Sequence, residues 1–385
     1  MFQKISIENY KSLESLPDFE MKPVNILIGA NNSGKSNFLD VFAFLRDTLV
    51  IEKTNGHESR SFEGWRAAIE RRGAIDSISF NQAGQFKLAC QSASFQYFLD
   101  IAPDQHGRCC QIRDEGLTDI ARPEMTFFSL KNGSAFMQNK EGKQLPSYSL
   151  REITALKALS IESGIDPQAL AFARKLSQIR IYDRLRTEIW SPIRTPQVSK
   201  GETLLDEDGG NLVGVLHQLS QTQLQFLERL NSLLRALFRD FTQISFPSNS
   251  QGELLIRWED KNGRVSNASQ LSDGTLKFLC LIAILKNPNP PALVGIDEID
   301  ANLHPKMQVI LAGMIAEASR KTQIIATTHN PDFVSMFEPD EIVIMQQYKG
   351  ATEMRRFSTK GALDLWLKYF GTRKLWLMGE LESRW

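Results

Sequence analysis

The residues best able to do chemistry in this chain are Gly29-Ala30-Asn31-Asn32-Ser33-Gly34-Lys35-Ser36, a G-x-x-x-x-G-K-S run. Gly29 and Gly34 let the backbone turn with its N–H groups inward, so phosphate oxygens can rest on them and on the positive end of a following helix. Lys35 reaches the β- and γ-phosphates, and the Ser36 hydroxyl is a Mg²⁺ ligand. That chemistry needs a strand to deliver the loop and a helix to receive the anion. Both are legible: Val24-Asn25-Ile26-Leu27-Ile28 is a short apolar run, and Asn37-Phe38-Leu39-Asp40-Val41-Phe42 begins a helical pattern. A chance match in a Gly/Asn turn would lack this setting, so the run reads as a phosphate-binding P-loop.

The chain has 385 residues, 42% of them hydrophobic, enough for a substantial core and one to three domains. Lys+Arg and Asp+Glu number 45 each, which leaves no global basic footprint for nucleic acid. Cys90, Cys109, Cys110 and Cys280 form no C-x-x-C pair and read as free thiols of a reducing compartment. The start, Met1-Phe2-Gln3-Lys4-Ile5, alternates like a strand, and the most apolar stretch, residues 278–285, is far too short to span a bilayer. The expectation is a cytoplasmic protein with no membrane partner.

Residues 2–8 read as an alternating strand ending at Asn9-Tyr10-Lys11-Ser12. Residues 57–73 are charged and partly helical, and their arginines (Arg60, Arg66, Arg71, Arg72) read as a solvated face. Between about 76 and 138, alternating runs at 77–80, 95–99 and 125–130 are separated by turn signals and predict an antiparallel sheet of hairpins. Helical patterns cover 150–162, 167–179, 211–219 and 224–238, interrupted by an Arg180-Ile181-Tyr182 strand and a polar loop. No heptad pattern persists long enough for a long coiled coil. Strands return near 242–246 and 254–258.

Four later stretches matter together. Leu271-Ser272-Asp273-Gly274-Thr275 precedes an apolar helix, where S-D-G taken singly is an N-cap. Asp297-Glu298 closes the apolar run 292–296, and Asn302-Leu303-His304-Pro305 follows, with Pro305 suited to a first helical position. Gln323-Ile324-Ile325-Ala326-Thr327-Thr328-His329 is a strand ending in histidine. In this order after a P-loop, they resemble the signature, Walker B, D-loop and switch histidine of ABC-type ATPases. About 235 residues separate Ser36 from Ser272, and the P-loop follows an early strand. Both features resemble RecF/SMC-type ATPases, most closely the small coiled-coil-free bacterial ones related to the ATPase half of OLD-family nucleases. The likeness extends to the Tyr182 strand, Gly209-Gly210-Asn211-Leu212-Val213, the block 270–278 and Leu375-Trp376-Leu377-Met378-Gly379-Glu380.

The resemblance implies an α/β fold, an ABC-type (RecF/SMC-like) P-loop ATPase head with two lobes. Residues 1–150 would form lobe I with the P-loop and an antiparallel β-subdomain, 151–240 a helical insertion, and 241–385 lobe II. It implies ATP and Mg²⁺ as ligands, with phosphate contacts from Gly29, Asn31, Asn32, Ser33, Gly34, Lys35, Ser36, Asn37 and Lys11. Ser36 and Asp297 would hold the metal, Glu298 would be the general base, and Lys35 and His329 would contact the γ-phosphate or the attacking water. Leu271, Ser272, Asp273 and Gly274 would face a γ-phosphate bound by a second subunit, beside a D-loop at Asn302, Leu303 and His304. The partners implied are a second copy in an ATP-sandwiched homodimer, a separate effector protein, and DNA or a phage-derived trigger.

Two departures stand out. The related pattern D-E-P-E-x-G-L-H-P is here Asp297-Glu298-Ile299-Asp300-Ala301-Asn302-Leu303-His304-Pro305, without its proline and glycine. Asn330 occupies a position where serine is common; the sequence does not place the glutamine that links the metal to lobe motion, for which Gln138 and Gln144 are candidates. Three functions compete: an ATP-gated switch for an effector in a defence module, a DNA-binding repair ATPase, and a transporter subunit. The long insertion and Thr275 in place of the transporter glutamine disfavour the third, and about fifty-five residues after His329 leave no room there for a fused Toprim nuclease. Trp366, Tyr369, Phe370, Trp376 and Trp385 suggest that residues 375–385 dock onto a partner chain.

Overall fold

The computed structural model describes residues 1–49, 64–104, 110–122, 126–131, 134–137, 153–159, 167–357, 359, 361 and 363. In chain order the first elements are strands β1 (Phe2–Tyr10), β2 (Leu13–Glu20) and β3 (Val24–Ile28), then helices α1 (Lys35–Asp47), α2 (Trp65–Glu70) and α3 (Ile75–Ile78). Strands β4 (Phe86–Ser92), β5 (Phe95–Pro103), β6 (Cys110–Asp119), β7 (Thr126–Lys131) and β8 (Ser134–Met137) follow, then helices α4 (Ala155–Leu159) and α5 (Pro167–Ser177). The Tyr182 strand, β9 (Arg180–Tyr182), precedes α6 (Leu212–Thr222), α7 (Phe226–Leu237) and strands β10 (Phe241–Ser245), β11 (Arg257–Asp260) and β12 (Val265–Asn267). The rest comprises α8 (Asp273–Leu285), β13 (Leu293–Ile296), α9 (Pro305–Ala318), β14 (Gln323–Thr328), α10 (Pro331–Val334), β15 (Ile342–Tyr348) and β16 (Ala351–Arg356).

One sheet carries the site. Its six strands run β16-β15-β3-β14-β13-β9, all parallel except β16, which returns antiparallel to β15. Every residue of β3, β13 and β14 is buried, as strands covered on both faces must be. The pleat divides them between two cores. Leu27, Leu293 and Ile325 pack into a core shared with α1, α5 and the hairpin sheet, whereas Val24, Ile26, Ile28, Val294, Ile296 and Ala326 pack under α6, α8 and α9. The segment 151–240 contributes to both: Ala155, Leu156 and Phe172 lie in the first core, Leu212, Leu216 and Leu230 in the second.

The hairpin sheet has seven antiparallel strands in the order β2-β1-β4-β5-β6-β7-β8, and a three-stranded sheet β10-β11-β12 stands apart. The fold is thus the α/β ABC-type head with an antiparallel subdomain, and among the described residues no helix is long and apolar enough to cross a membrane.

The structure departs from the sequence expectation locally at residues 77–80, at Arg72 and at 254–258. The alternating run 77–80 is not a strand: α3 ends at Ile78 and a 3₁₀ turn spans Phe80–Gln82. Asn81 and Gln82 take φ of 50° and 56°, and Ser79 Oγ accepts from the Gly84 N–H at 3.0 Å, so a turn wins over extension there. Arg72 is not on a solvated face, because its nearly buried guanidinium pairs with Asp40 at 2.8 Å and Asp47 at 3.0 Å. The strand expected at 254–258 sits further on, at Arg257–Asp260. Gln138, Gln144, Arg60 and the docking segment 375–385 lie outside the described residues.

Candidate nucleotide site

The P-loop leaves the C-terminal end of β3, Asp297-Glu298 leaves β13, and His329 leaves β14. Because these strands are parallel neighbours, three distant stretches meet at one edge of the sheet, where ligands of open α/β sheets bind. They line a cavity of about 350 Å³, formed by residues 31–37 with Asp297, Glu298 and His329. Gly34 must be glycine: its φ is +94°, and a Cβ would stand 2.1 Å from Thr352 Oγ1. Thr352 also bonds Ser12 Oγ at 2.7 Å and the Ser33 carbonyl at 3.2 Å, and Asn37 Nδ2 donates to Ser12 at 2.7 Å. The Asn9-Tyr10-Lys11-Ser12 turn and β16 therefore brace the loop. Helix α1 begins at Lys35 with no side-chain cap and no acid in its first turn, which leaves its amides open to an anion.

Lys35 is 4% exposed and folds back on the loop, donating to the carbonyls of Gly29 at 2.9 Å and Ala30 at 2.7 Å, and to Ser33 Oγ at 3.3 Å. Burial pulls its ammonium down to about 8, although Asp297 and Glu298 favour the charge. Ser36 Oγ donates to Asp297 Oδ2 at 2.6 Å, so the two expected metal ligands are already adjacent. Asp297 Oδ1 accepts from Thr327 Oγ1, and the same hydroxyl accepts from the Glu298 N–H at 2.7 Å. Glu298 has the left-handed φ of 46° and a well-exposed carboxylate, 3.9 Å from His329 Nε2. Burial and then the nearby Lys35 hold the imidazole below its ordinary value, which keeps His329 neutral at neutral pH.

The D-loop departure has a physical answer. Asn302 takes φ of 62° where the related pattern has glycine, and asparagine is among the few non-glycine residues that tolerate that region. His304 Nδ1 accepts from the Lys306 N–H at 3.2 Å and caps α9, with Pro305 at its first turn. Asn330 caps α10 by accepting from the Asp332 N–H at 3.0 Å, and donates to Gln308 Oε1 at 3.1 Å. Leu303 is buried in the second core.

The signature stretch is a separate construction. Ser272 Oγ caps α8, accepting from the Thr275 N–H at 3.2 Å. A Cβ on Gly274 would come within 2.5 Å of the Asn302 carbonyl, so only glycine lets the helix approach the D-loop so closely. One turn on, Lys277 Nζ donates to the carbonyls of Glu298 at 2.7 Å and Ala301 at 3.0 Å. Signature helix, Walker B turn and D-loop are thereby bolted together. None of residues 271–274 lines the P-loop cavity. Lys11 lies apart as well: its amine pairs with Asp40 at 2.6 Å and lines a neighbouring cavity.

Three contributors carried no usable local signal. Thr327, fully buried, passes as an ordinary strand residue. Arg194 reaches across 74 to 79 residues of sequence to the signature loop, and Lys277 across 21 to 24 to the Walker B turn.

Fold and site together define a P-loop ATPase head of the ABC type. Residues 24–335 match the family described as "AAA domain, putative AbiEii toxin, Type IV TA system", and the chain belongs to that family and is an ATPase. It is 25% identical to the "Retron Ec83 probable ATPase" of Escherichia coli, over 94% of this chain and 74% of that one. It is 20% identical to an "ATP/GTP phosphatase" of Helicobacter pylori, over 92% and 91% of the two chains. A shorter match, 38% identical over 17% of this chain and 10% of the other, joins it to "Septu protein PtuA" of Bacillus mycoides. Among solved structures it is similar in fold to an SMC head bound to the C-winged helix domain of ScpA, with TM-score 0.57, 15% identity and coverage of 94% and 99%.

Proposed function

We propose that this ATPase works as a head-to-head dimer that buries two ATP molecules and serves as a timed switch for a separate effector protein in a bacterial defence module. The observation that carries the dimer is the separation within one chain. The P-loop, Asp297, Glu298 and His329 share a cavity to which the signature residues Leu271, Ser272, Asp273 and Gly274 do not contribute. In this reading the serine-capped start of α8, which lies outside that cavity, meets the γ-phosphate held in a second copy, and that copy's signature completes the first. ATP then joins the subunits, and hydrolysis releases them.

The donor set fits Mg²⁺: a hydroxyl and a carboxylate, hard oxygens 2.6 Å apart at the mouth of the loop, are what that ion takes. Bound by Ser36 and Asp297, it would neutralise charge on the β- and γ-phosphate oxygens. The chain's own residues do the rest. Lys35, freed from the Gly29 and Ala30 carbonyls, balances the phosphates, and the amides of residues 31–37 cradle them. Glu298 accepts the proton of the attacking water as its oxygen bonds to the γ-phosphorus and ADP departs. Neutral His329, beside Glu298, can donate an N–H to the transferring phosphoryl group or hold the water.

The effector role rests on the kinship with the AbiEii, retron and Septu proteins and on the sequence likeness to ATPases that operate with a second protein; the same likeness offers DNA or a phage-derived molecule as the trigger. The test of the composite site is complementation. Glu298→Gln should keep ATP binding and form a stable dimer while turnover falls by roughly 10²–10⁴. Lys35→Ala should lose nucleotide binding, and Ser272→Arg should bind ATP but not pair. Mixing those last two variants should restore about half-site activity. A Ser272→Arg protein that hydrolyses ATP normally as a monomer ends the dimer reading.

A further inference from the structure

Six residues beyond the end of β9 the chain makes a tight turn, closed between Glu188 and Ser191, that displays Ile189 and Trp190 to solvent, 76% and 94% exposed. The turn is well built. Ser191 N–H donates to the Glu188 carbonyl at 2.9 Å, Ser191 Oγ to the Arg186 carbonyl at 2.7 Å, and Ile193 is fully buried as its anchor. A single guanidinium then fastens it to the signature stretch. Arg194 Nε donates to the Thr187 carbonyl at 2.7 Å, within the turn. Its Nη1 reaches the carbonyls of Ala268 at 3.1 Å, Ser269 at 3.2 Å and Leu271 at 2.8 Å, and its Nη2 pairs with Asp273 at 2.6 Å. The planar fork of arginine is needed for this, since five directed donors serve both sides at once.

A tryptophan and an isoleucine are thus held out in water on a braced backbone with their apolar surface unburied, the residue type and setting of an interface anchor. We propose that the Ile189–Trp190 turn is a contact surface for a second copy of this chain, formed when two heads close on ATP. The occupant follows from continuity. Through Arg194 the turn is stapled to residues 268–273, the stretch that the dimer reading sets against the other subunit's P-loop, so a second copy closing on Ser272 comes up against the segment that braces Trp190. Arg194 makes contact and signature one rigid unit, so Trp190 seats only when Ser272 is in position. This inference rests on the dimer reading given above.

The experiment uses the full chain with Glu298→Gln, with and without Trp190→Ala, in sedimentation across a range of Mg-ATP and protein concentrations. Trp190 is exposed, so its removal leaves the fold intact. The expected result is a subunit affinity at least tenfold weaker in the double variant, with ATP binding by the isolated subunit unchanged. Trp190→Phe should recover part of the loss. A Trp190→Cys chain carrying an environment-sensitive fluorophore should shift to the blue on adding Mg-ATP, in proportion to dimer formed. Equal dimer affinity with and without Trp190, or a fluorophore blind to dimerisation, overturns the proposal while the dimer itself stands. Loss of an effector's binding with dimer affinity unchanged also overturns it. A Glu298→Gln chain that remains monomeric with Mg-ATP bound defeats the dimer reading instead.

Discussion

Thr327→Val removes one hydroxyl and keeps the branched shape that β14 packs. That hydroxyl donates to Asp297 Oδ1 and accepts from the Glu298 N–H at 2.7 Å, at a residue that is fully buried. A hydrogen bond to a charged carboxylate contributes about 1.5–3 kcal/mol, and an N–H left without a partner costs about 1–3 kcal/mol. The Glu298 amide is only partly buried, which puts its share at the lower end, so the sum is about 3 kcal/mol. Glu298 also sits at φ of 46°, a conformation that persists only when its surroundings hold it. With the hydroxyl gone, the peptide between the two acids is free to relax and the base moves off line. A displacement of about 1 Å is worth roughly a hundredfold in rate. Denaturant midpoints for wild type, Thr327→Val and Thr327→Ser, with steady-state ATP turnover on the same preparations, provide the assay. The serine variant keeps the hydroxyl and loses one buried methyl, so it should cost only about 1 kcal/mol and retain most turnover. A valine variant within about 0.5 kcal/mol of wild type, or a serine variant as damaged as valine, would refute the reasoning.

Arg194→Lys should lower dimer-dependent turnover roughly tenfold with single-subunit ATP affinity unchanged, because an ammonium cannot serve the Thr187, Ala268 and Leu271 carbonyls together; a parallel loss of nucleotide affinity would contradict this. Asn302→Gly should be nearly neutral in thermal unfolding, while Asn302→Val should destabilise by about 1–2 kcal/mol, since the position is left-handed at φ of 62°. Glu115, fully buried on β6, accepts from Tyr97 Oη at 3.0 Å and from the Ala155 and Leu156 N–H groups at 2.7 and 3.0 Å. Burial pushes its carboxyl from 4.5 up to about 7 against those donors. Its folded value being raised, the stability it contributes is complete below pH 4.5 and is lost as pH climbs through about 7, a span of about 3 kcal/mol. Wild type should therefore lose stability relative to Glu115→Gln between about pH 4.5 and 7, and a constant gap over that range would count against the assignment.

The P-loop, the two acids after β13 and the histidine after β14 were legible in the sequence because each combines a local backbone need with a chemical one. Glycine, lysine and hydroxyl follow a strand at fixed spacing, and acids or a histidine end an apolar run. The antiparallel subdomain was legible from alternation, except at 77–80, where four residues of alternation cannot distinguish a strand from a helical turn followed by left-handed Asn81 and Gln82. The missing D-loop glycine left the geometry of that turn open, and the φ of Asn302 resolved it. What only the tertiary structure decided is everything carried by contacts between distant segments. Thr327 looks like any strand residue until β14 lies beside β13 and its hydroxyl faces Asp297. Arg72 looks like a surface charge until α1 brings Asp40 and Asp47 to it. Arg194 has no local reason to matter until the chain returns 74 to 79 residues later with the carbonyls and carboxylate that fit its fork. Sequence periodicity reports which face of an element is buried, but a hydrogen bond between segments depends on register and approach, which are set only when the sheet closes.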